Sequence, residues 1–233
     1  MCASFPTTRR SVVLSLASGD PDERTRAFDT LVALYWKPLY KYARVSWRRA
    51  PEDCEDLTQS FFARVLENEV LATYDASKAG FRTFLRMLFD RHSANEAKAS
   101  QRLKRGGGAL SVDFDEAEAE LKAEPSGTPE ALFQREWVRS VFAVAVERLR
   151  DESAGGGRGS QFAMFEAYDL DDNRMISYRE LAERFSVPET TVTNHLAATR
   201  RRFRQIVLDT IREATASEQE YRAEARALLG VDV

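Results

Sequence analysis

Residues 176–207 read ISYRELAERFSVPETTVTNHLAATRRRFRQIV. Their spacing predicts two helices joined by a tight turn. Leu181, Ala182 and Phe185 fall on one face of the first. In the second, Val192, Leu196, Thr199 and Phe203 recur at offsets of four, seven and eleven. Ser177 with Glu180 forms a capping-box pattern, in which each side chain can meet a free backbone N–H at the helix start. Ser186 with Glu189 repeats the pattern, and Pro188 suits a first helical turn. Two helices across a short turn make a helix-turn-helix, a unit whose second helix enters the DNA major groove.

The second helix carries a polar face opposite Val192 and Leu196. At 100° per residue that face gathers Thr190, Thr193, Asn194, Ala197, Arg201 and Arg204, with Thr191 and Arg200 beside it. Asparagine can bond two edge atoms of adenine, threonine and alanine can touch a thymine methyl, and arginine can fork onto guanine or phosphate. Arg200, Arg201, Arg202 and Arg204 give the helix a basic end suited to phosphates. An ordinary helical hairpin with a solvated arginine-rich face has the same periodicity.

The 233 residues carry 34 lysines and arginines against 37 aspartates and glutamates, a net charge of −3. Any basic surface is therefore local. The length suits one or two domains with ample core. Cys2 and Cys54 have no metal-ligand spacing and suggest no disulfide framework. No apolar run is long enough for a membrane span. The opening MCASFPTTRRSVVLSLASGD reads as a short helix rather than a secretion signal, so a cytoplasmic protein is expected. Helical periodicity dominates and nothing alternates with period two, so the expected fold is all-α.

The first block spans residues 11–105. Asp20 and Asp22 can cap a helix bearing Phe28, Leu31, Tyr35, Leu39 and Tyr42 on one side, with Pro38 expected to kink or restart it. Residues 51–67, PEDCEDLTQSFFARVLE, place Leu57, Phe61, Val65 and Leu66 on an apolar stripe. Asp53, Glu55, Asp56 and Gln59 form an acidic and polar first turn, which also favours a helix N-terminus through the dipole. After a loop at 73–80, a helix begins with Phe81 and Phe84 and turns basic at Arg91, Lys98, Arg102, Lys104 and Arg105. Rings beside cations suit single-stranded or melted nucleic acid. Phe84, Leu85 and Leu88 equally suit a core.

Residues 106–128 read as an acidic flexible linker. Over 106–130, Asp113, Asp115, Glu116, Glu118, Glu120, Glu124 and Glu130 outweigh Lys122, a local charge of −6, and little packed core is expected beyond a short helix. Thr128 then caps a helix with Leu132, Trp137, Val141, Ala145 and Leu149 on its face. A glycine-rich loop and a helix at 161–170 lead into the helix-turn-helix, which closes a second domain at 129–207. A C-terminal helical extension, 208–233, offers Tyr221, Ala225, Leu228 and Leu229 for docking back or for a partner.

One competing pattern overlaps the helix-turn-helix. Asp169, Asp171, Asn173, Ser177 and Glu180 occupy positions 1, 3, 5, 9 and 12 of a calcium-binding loop. Arg174 stands where that loop needs glycine, and the capping box explains Ser177 and Glu180 without a metal. No metal or other cofactor is expected.

In this order and spacing the blocks resemble a bacterial RNA polymerase sigma factor of the sigma-70 family, in its extracytoplasmic-function group. AFDTLVALYWKPLYKYA resembles the opening helix of region 2, DCEDLTQSFFARVLE its polymerase-binding helix, and FRTFL its promoter-melting segment. ISYRELAERFSVPETTVTNHL resembles the region 4 reader. The resemblance covers about residues 11–105 and 129–207.

That resemblance implies partners and roles. Asp53, Glu55, Asp56 and Gln59 would contact the clamp helices of core RNA polymerase. Residues 75–80 and the helix from Phe81 to Lys98 would read and melt the −10 element of promoter DNA, with Lys78, Phe81, Arg82, Phe84, Arg86, Arg91 and Lys98 as contacts. Thr190, Thr191, Thr193, Asn194, Ala197, Arg200, Arg201 and Arg204 would read the −35 element. The acidic linker would thread the polymerase channel.

Two positions depart from the family pattern: Phe84 stands where many relatives have tryptophan, and Ser186 where the turn often has glycine. Regulation has room in an anti-sigma factor or another regulator, in the extensions, or in phosphorylation of Thr58. The implied protein performs no covalent chemistry. His92 and His195, the only histidines, lie in the two presumed reading helices, and no nucleophile–base pair or phosphate-cradling loop is visible, so no catalytic residue is expected. Two other classes remain: a stand-alone helix-turn-helix regulator, and a calcium-responsive interaction protein.

Overall fold

The computed structural model describes residues 15–16, 20–67, 69–99, 114–123, 127–171 and 176–231. Every regular element among them is helical, so the fold is all-α. In chain order these are α1 (Pro21–Trp47), α2 (Pro51–Glu67), α3 (Phe81–Ala99), α4 (Phe114–Ala123), α5 (Pro129–Gly155), α6 (Gly159–Phe165), α7 (Tyr178–Phe185), α8 (Glu189–Ala214) and α9 (Glu218–Leu229). One 3-10 turn, Glu69–Thr73, and one π-helical turn, Glu166–Leu170, complete the described elements.

Two compact units divide the chain. The first takes the residues up to Val141 together with those from Ile211 onward, and the second is Phe142–Thr210. This division differs from one cut at residues 105, 128 and 207. The opening half of α5 and the whole C-terminal helix belong with the first helices.

In the first unit, Asp20 caps α1. Its Oδ1 accepts the N–H groups of Asp22 at 2.9 Å and Glu23 at 3.4 Å, two donors that the first turn leaves free. Leu31, Tyr35, Leu39 and Tyr42 are buried as their spacing predicts. Pro38 does not end the helix: α1 is one run of 27 residues with Pro38 buried inside it. On α2, Leu57, Phe61 and Val65 face inward, joined by Cys54, Thr58 and Phe62. Leu66, expected in that stripe, is 50 % exposed. The core carries many aromatic rings, several packed edge to face: Phe61 meets Phe89 at 5.1 Å between ring centroids, and Tyr35 meets Phe81 at 6.0 Å.

Residues 114–123 correct the expectation of a flexible linker with little packed core. They form α4, whose Phe114 and Ala117 are buried against α1. Phe114 packs edge-on to Trp36 at 5.4 Å and Tyr40 at 5.1 Å. The acids find fixed partners. Glu120 pairs with Lys37 at 3.0 Å and Lys41 at 2.7 Å, and Glu118 with Arg44 at 2.5 Å. Partial burial works against ionised Glu120, but the bonds from Lys41 and Lys37 outweigh it and lower its pKa. The rest of 106–126 lies outside the described residues.

In the second unit, Ala145 and Leu149 of α5 are buried, as are Phe162, Met164 and Phe165 of α6. Ring contacts link Phe203 to Phe142 at 6.1 Å and to Phe165 at 5.4 Å. Leu181 and Ala182 of α7 and Val192, Leu196 and Thr199 of α8 are also buried, so the two apolar stripes expected of the helix-turn-helix form its core.

Candidate nucleic-acid interface

The helix-turn-helix owes its geometry to local backbone chemistry. Ser177 Oγ accepts the Glu180 N–H at 3.2 Å, and a Glu180 carboxylate oxygen accepts the Ser177 N–H at 2.8 Å, so the first capping box is complete. The second does not form. Ser186 adopts φ 54° and ψ 44°, a left-handed conformation that ends α7, and the Val187 N–H returns to the Ala182 carbonyl at 3.0 Å. A left-handed residue turns the chain sharply while satisfying the last carbonyls of the helix. Ser186 thus closes one helix instead of opening the next, and α8 starts at Glu189, after Pro188.

On α8, Thr190, Thr193, Asn194, Arg201 and Arg204 are exposed, opposite the buried Val192 and Leu196. Ala197 within that face and Thr191 beside it are half-buried. Thr193, itself exposed, donates its Oγ1 hydroxyl to the Glu189 carbonyl at 3.0 Å. Arg200 behaves differently from its neighbours. Its guanidinium grips the Asp169 carboxylate through three contacts of 2.9–3.1 Å and stacks 5.3 Å from the Tyr168 ring centroid. Arg202 is tied to Glu152 at 2.5 Å. The free cations of the reading face are therefore Arg201 and Arg204, which form no ion pair among the described residues.

The same contacts involve residues of the calcium-loop pattern. Asp169 spends its carboxylate on Arg200, and Ser177 and Glu180 are spent on each other. Asn173 lies outside the described residues. Among the described residues no group of three or more His, Cys, Asp or Glu is placed to hold a metal ion.

On α2, Asp53 and Asp56 are exposed and Glu55 and Gln59 half-buried, while Leu57 and Phe61 are buried. A partner could reach this edge without disturbing the core. Thr58 is different: it is fully buried and its hydroxyl donates to the Cys54 carbonyl at 2.7 Å, so it offers no site for phosphorylation. Burial also pushes the Cys54 thiol up to about 11, against the pull of Arg44 and Arg49.

The residues expected to meet melted DNA divide sharply. Phe81 is fully buried and cannot stack on a base. Arg82 is largely covered: its Nη2 lies 2.8 Å from Glu224 Oε1, and its guanidinium sits 4.2 Å over the Trp137 ring. Arg86 bonds the Tyr42 hydroxyl at 3.0 Å and Asp90 at 3.3 Å. Phe84 is half-buried and packs on Tyr74 at 5.0 Å. Lys78 and Arg91 are exposed, Lys78 being 3.2 Å from Asp75. The Asp75 carboxyl is lowered to about 2, first by the Ser77 hydroxyl at 2.7 Å and then by the Ser77 N–H. Lys98 lies in the last turn of α3, with its side chain outside the described residues. His92 is buried in the core with Nε2 2.8 Å from Ser60 Oγ, and burial lowers its pKa.

Sequence reasoning missed Tyr74, Trp137, Glu220 and Glu224. Tyr74 lies within the expected loop and carried a signal, an aromatic shortly before Phe81 and Phe84. The glutamates sit in an alanine-rich polar segment and carried none.

Among the described residues no helix is long and apolar enough to cross a membrane. No family model, curated protein or solved structure matches the chain.

Proposed function

We propose that this chain is a sigma factor of the extracytoplasmic-function kind, which binds core RNA polymerase and directs initiation at chosen promoters. The observation that carries the reading is the helix-turn-helix. Its α8 offers Thr190, Thr193, Asn194, Arg201 and Arg204 to solvent along one face. That set combines base-edge readers with phosphate binders on a helix sized for the major groove. The exposed Asp53 and Asp56 on α2 add an acidic edge of the kind the polymerase contact needs.

The chain would contribute binding and positioning and no covalent step. Duplex contacts through α8 would set the register at the −35 element. Opening of the −10 element would draw on Phe84, Tyr74, Lys78, Arg86 and Arg91, since Phe81 is core. A flipped base costs a few kcal/mol of stacking, which aromatic contacts and phosphate neutralisation offset. The tying of Phe81 and Arg82 inside the chain favours a second reading, a stand-alone duplex-binding regulator that never meets polymerase.

Run-off transcription with bacterial core polymerase separates the two. Transcripts that need the protein, and disappear with Asp53→Lys/Asp56→Lys, support the sigma reading. Duplex binding without core binding or initiation favours the regulator.

A further inference from the structure

The N-terminus of α3 is held by the last helix of the chain. Glu220 Oε1 accepts the Phe81 N–H at 2.7 Å, a bond between residues 139 positions apart. Its other oxygen accepts the Ala216 N–H at 3.0 Å, which fixes the carboxylate in place. One turn further along α9, Glu224 pairs with Arg82 at 2.8 Å, with about one sixth of either side chain exposed. The approach is close: a Cβ at Gly80 would lie 2.9 Å from Glu220 Oε1, so the carboxylate end would have to shift to make room.

The α9 helix is anchored on its own account. Ser217 caps it through the Glu220 N–H at 3.1 Å, Tyr221 and Ala225 are buried, and Arg212 stacks 3.8 Å over the Tyr221 ring. The two glutamates are therefore presented by a docked helix to a free helix N-terminus and a guanidinium. Those are the two groups that bind phosphate oxygens in nucleic-acid complexes. Arg82 is not fully used in the docked state, because its buried Nη1 has no hydrogen-bond partner among the described residues.

We propose that α9 is an intramolecular competitor for this surface: Glu220 and Glu224 occupy the places that two phosphates of single-stranded DNA take when α9 lifts away. The proposal rests on the sigma reading for its ligand. It adds that the chain regulates its own access to the melted strand.

The test uses the full chain with Glu220→Gln/Glu224→Gln. A control chain, Asp29→Asn/Glu67→Gln, makes the same change in net charge at two exposed positions, on α1 and α2. Two quantities are measured: hydrogen exchange at the Phe81 amide, and anisotropy of a labelled single-stranded DNA oligonucleotide over a salt series. The expected result is faster exchange at Phe81, about tenfold tighter binding than the control chain, and a salt dependence steeper by about one to two counterions. Adding Arg82→Gln to the unlatched chain should remove the gain.

Three results would overturn the proposal: an equally protected Phe81 amide, faster exchange without tighter binding, or a gain that survives loss of Arg82. Run-off transcription on the same proteins is scored separately. If no chain directs initiation the sigma reading fails, while the DNA titration still decides the latch.

Discussion

Lys41 Nζ lies 2.7 Å from Glu136 Oε2, and neither side chain is exposed to water. Lys41 also meets Glu120 at 2.7 Å, and Glu136 meets Arg139 at 2.5 Å. A chain of charges thus runs from α4 through α1 to α5. Removing one member of a buried pair strands the other in a poorly solvated place, at a cost of about 3–5 kcal/mol. Lys41→Met should lower stability by that order, while Lys41→Met/Glu136→Met recovers much of it. Urea unfolding followed by circular dichroism reads both, and equal losses in the two chains would rule out stranded charge as the cause.

The turn of the helix-turn-helix should respond to two small changes in opposite directions. Ser177→Ala removes the capping box and should cost about 1 kcal/mol. Ser186→Gly relieves the left-handed serine and should gain up to about 1 kcal/mol. Thermal melts of the two variants test the signs. A destabilised Ser186→Gly chain would contradict the conformation at φ 54°.

Cys54 gives a pH-dependent readout. In a Cys2→Ser chain, its buried thiol should resist alkylation at pH 8 until the protein unfolds. The folded thiol titrates near 11, above its usual 9.0. Above pH 9.0 the unfolded chain therefore loses its proton first, and the contribution to stability falls as pH rises from 9.0 to about 11. Rapid labelling of the native protein at pH 8 would refute the burial.

On α8, Asn194 and Arg204 should fail differently. Asn194→Ala should relax base preference at one position of a selected duplex, at about 1–3 kcal/mol. Arg204→Ala should weaken all duplexes alike and reduce the salt slope by about one. Selection from a random duplex library, followed by salt titration, distinguishes them. Identical behaviour of the two variants would count against a reading face.

The helices were legible wherever apolar residues recur at helical spacing. Leu132, Trp137, Val141, Ala145 and Leu149 form a single stripe, and all five are buried. α4 was obscured because, among its described side chains, only Phe114 and Ala117 are buried, beside the charge pairs of Glu118 and Glu120. Ser186 followed by Glu189 fits a capping box in one dimension, and only the backbone angles reveal that the serine ends a helix. Within the candidate site, the exposed face of α8 follows from the burial of Val192 and Leu196 on its other side. The fate of Phe81 and Arg82 does not follow from their neighbours, because Glu220 and Glu224 come from the far end of the chain.

The first unit draws on both ends of the residues that enclose the second. During synthesis, Phe142–Thr210 is made before Ile211 and the residues after it. The helices before it must wait for Tyr221 and Ala225 to arrive before their last contacts close. A chain cut short before Ser217 would keep every residue of the helix-turn-helix and lose the two carboxylates that hold Phe81 and Arg82, so its reading helix could form while α3 stands uncapped.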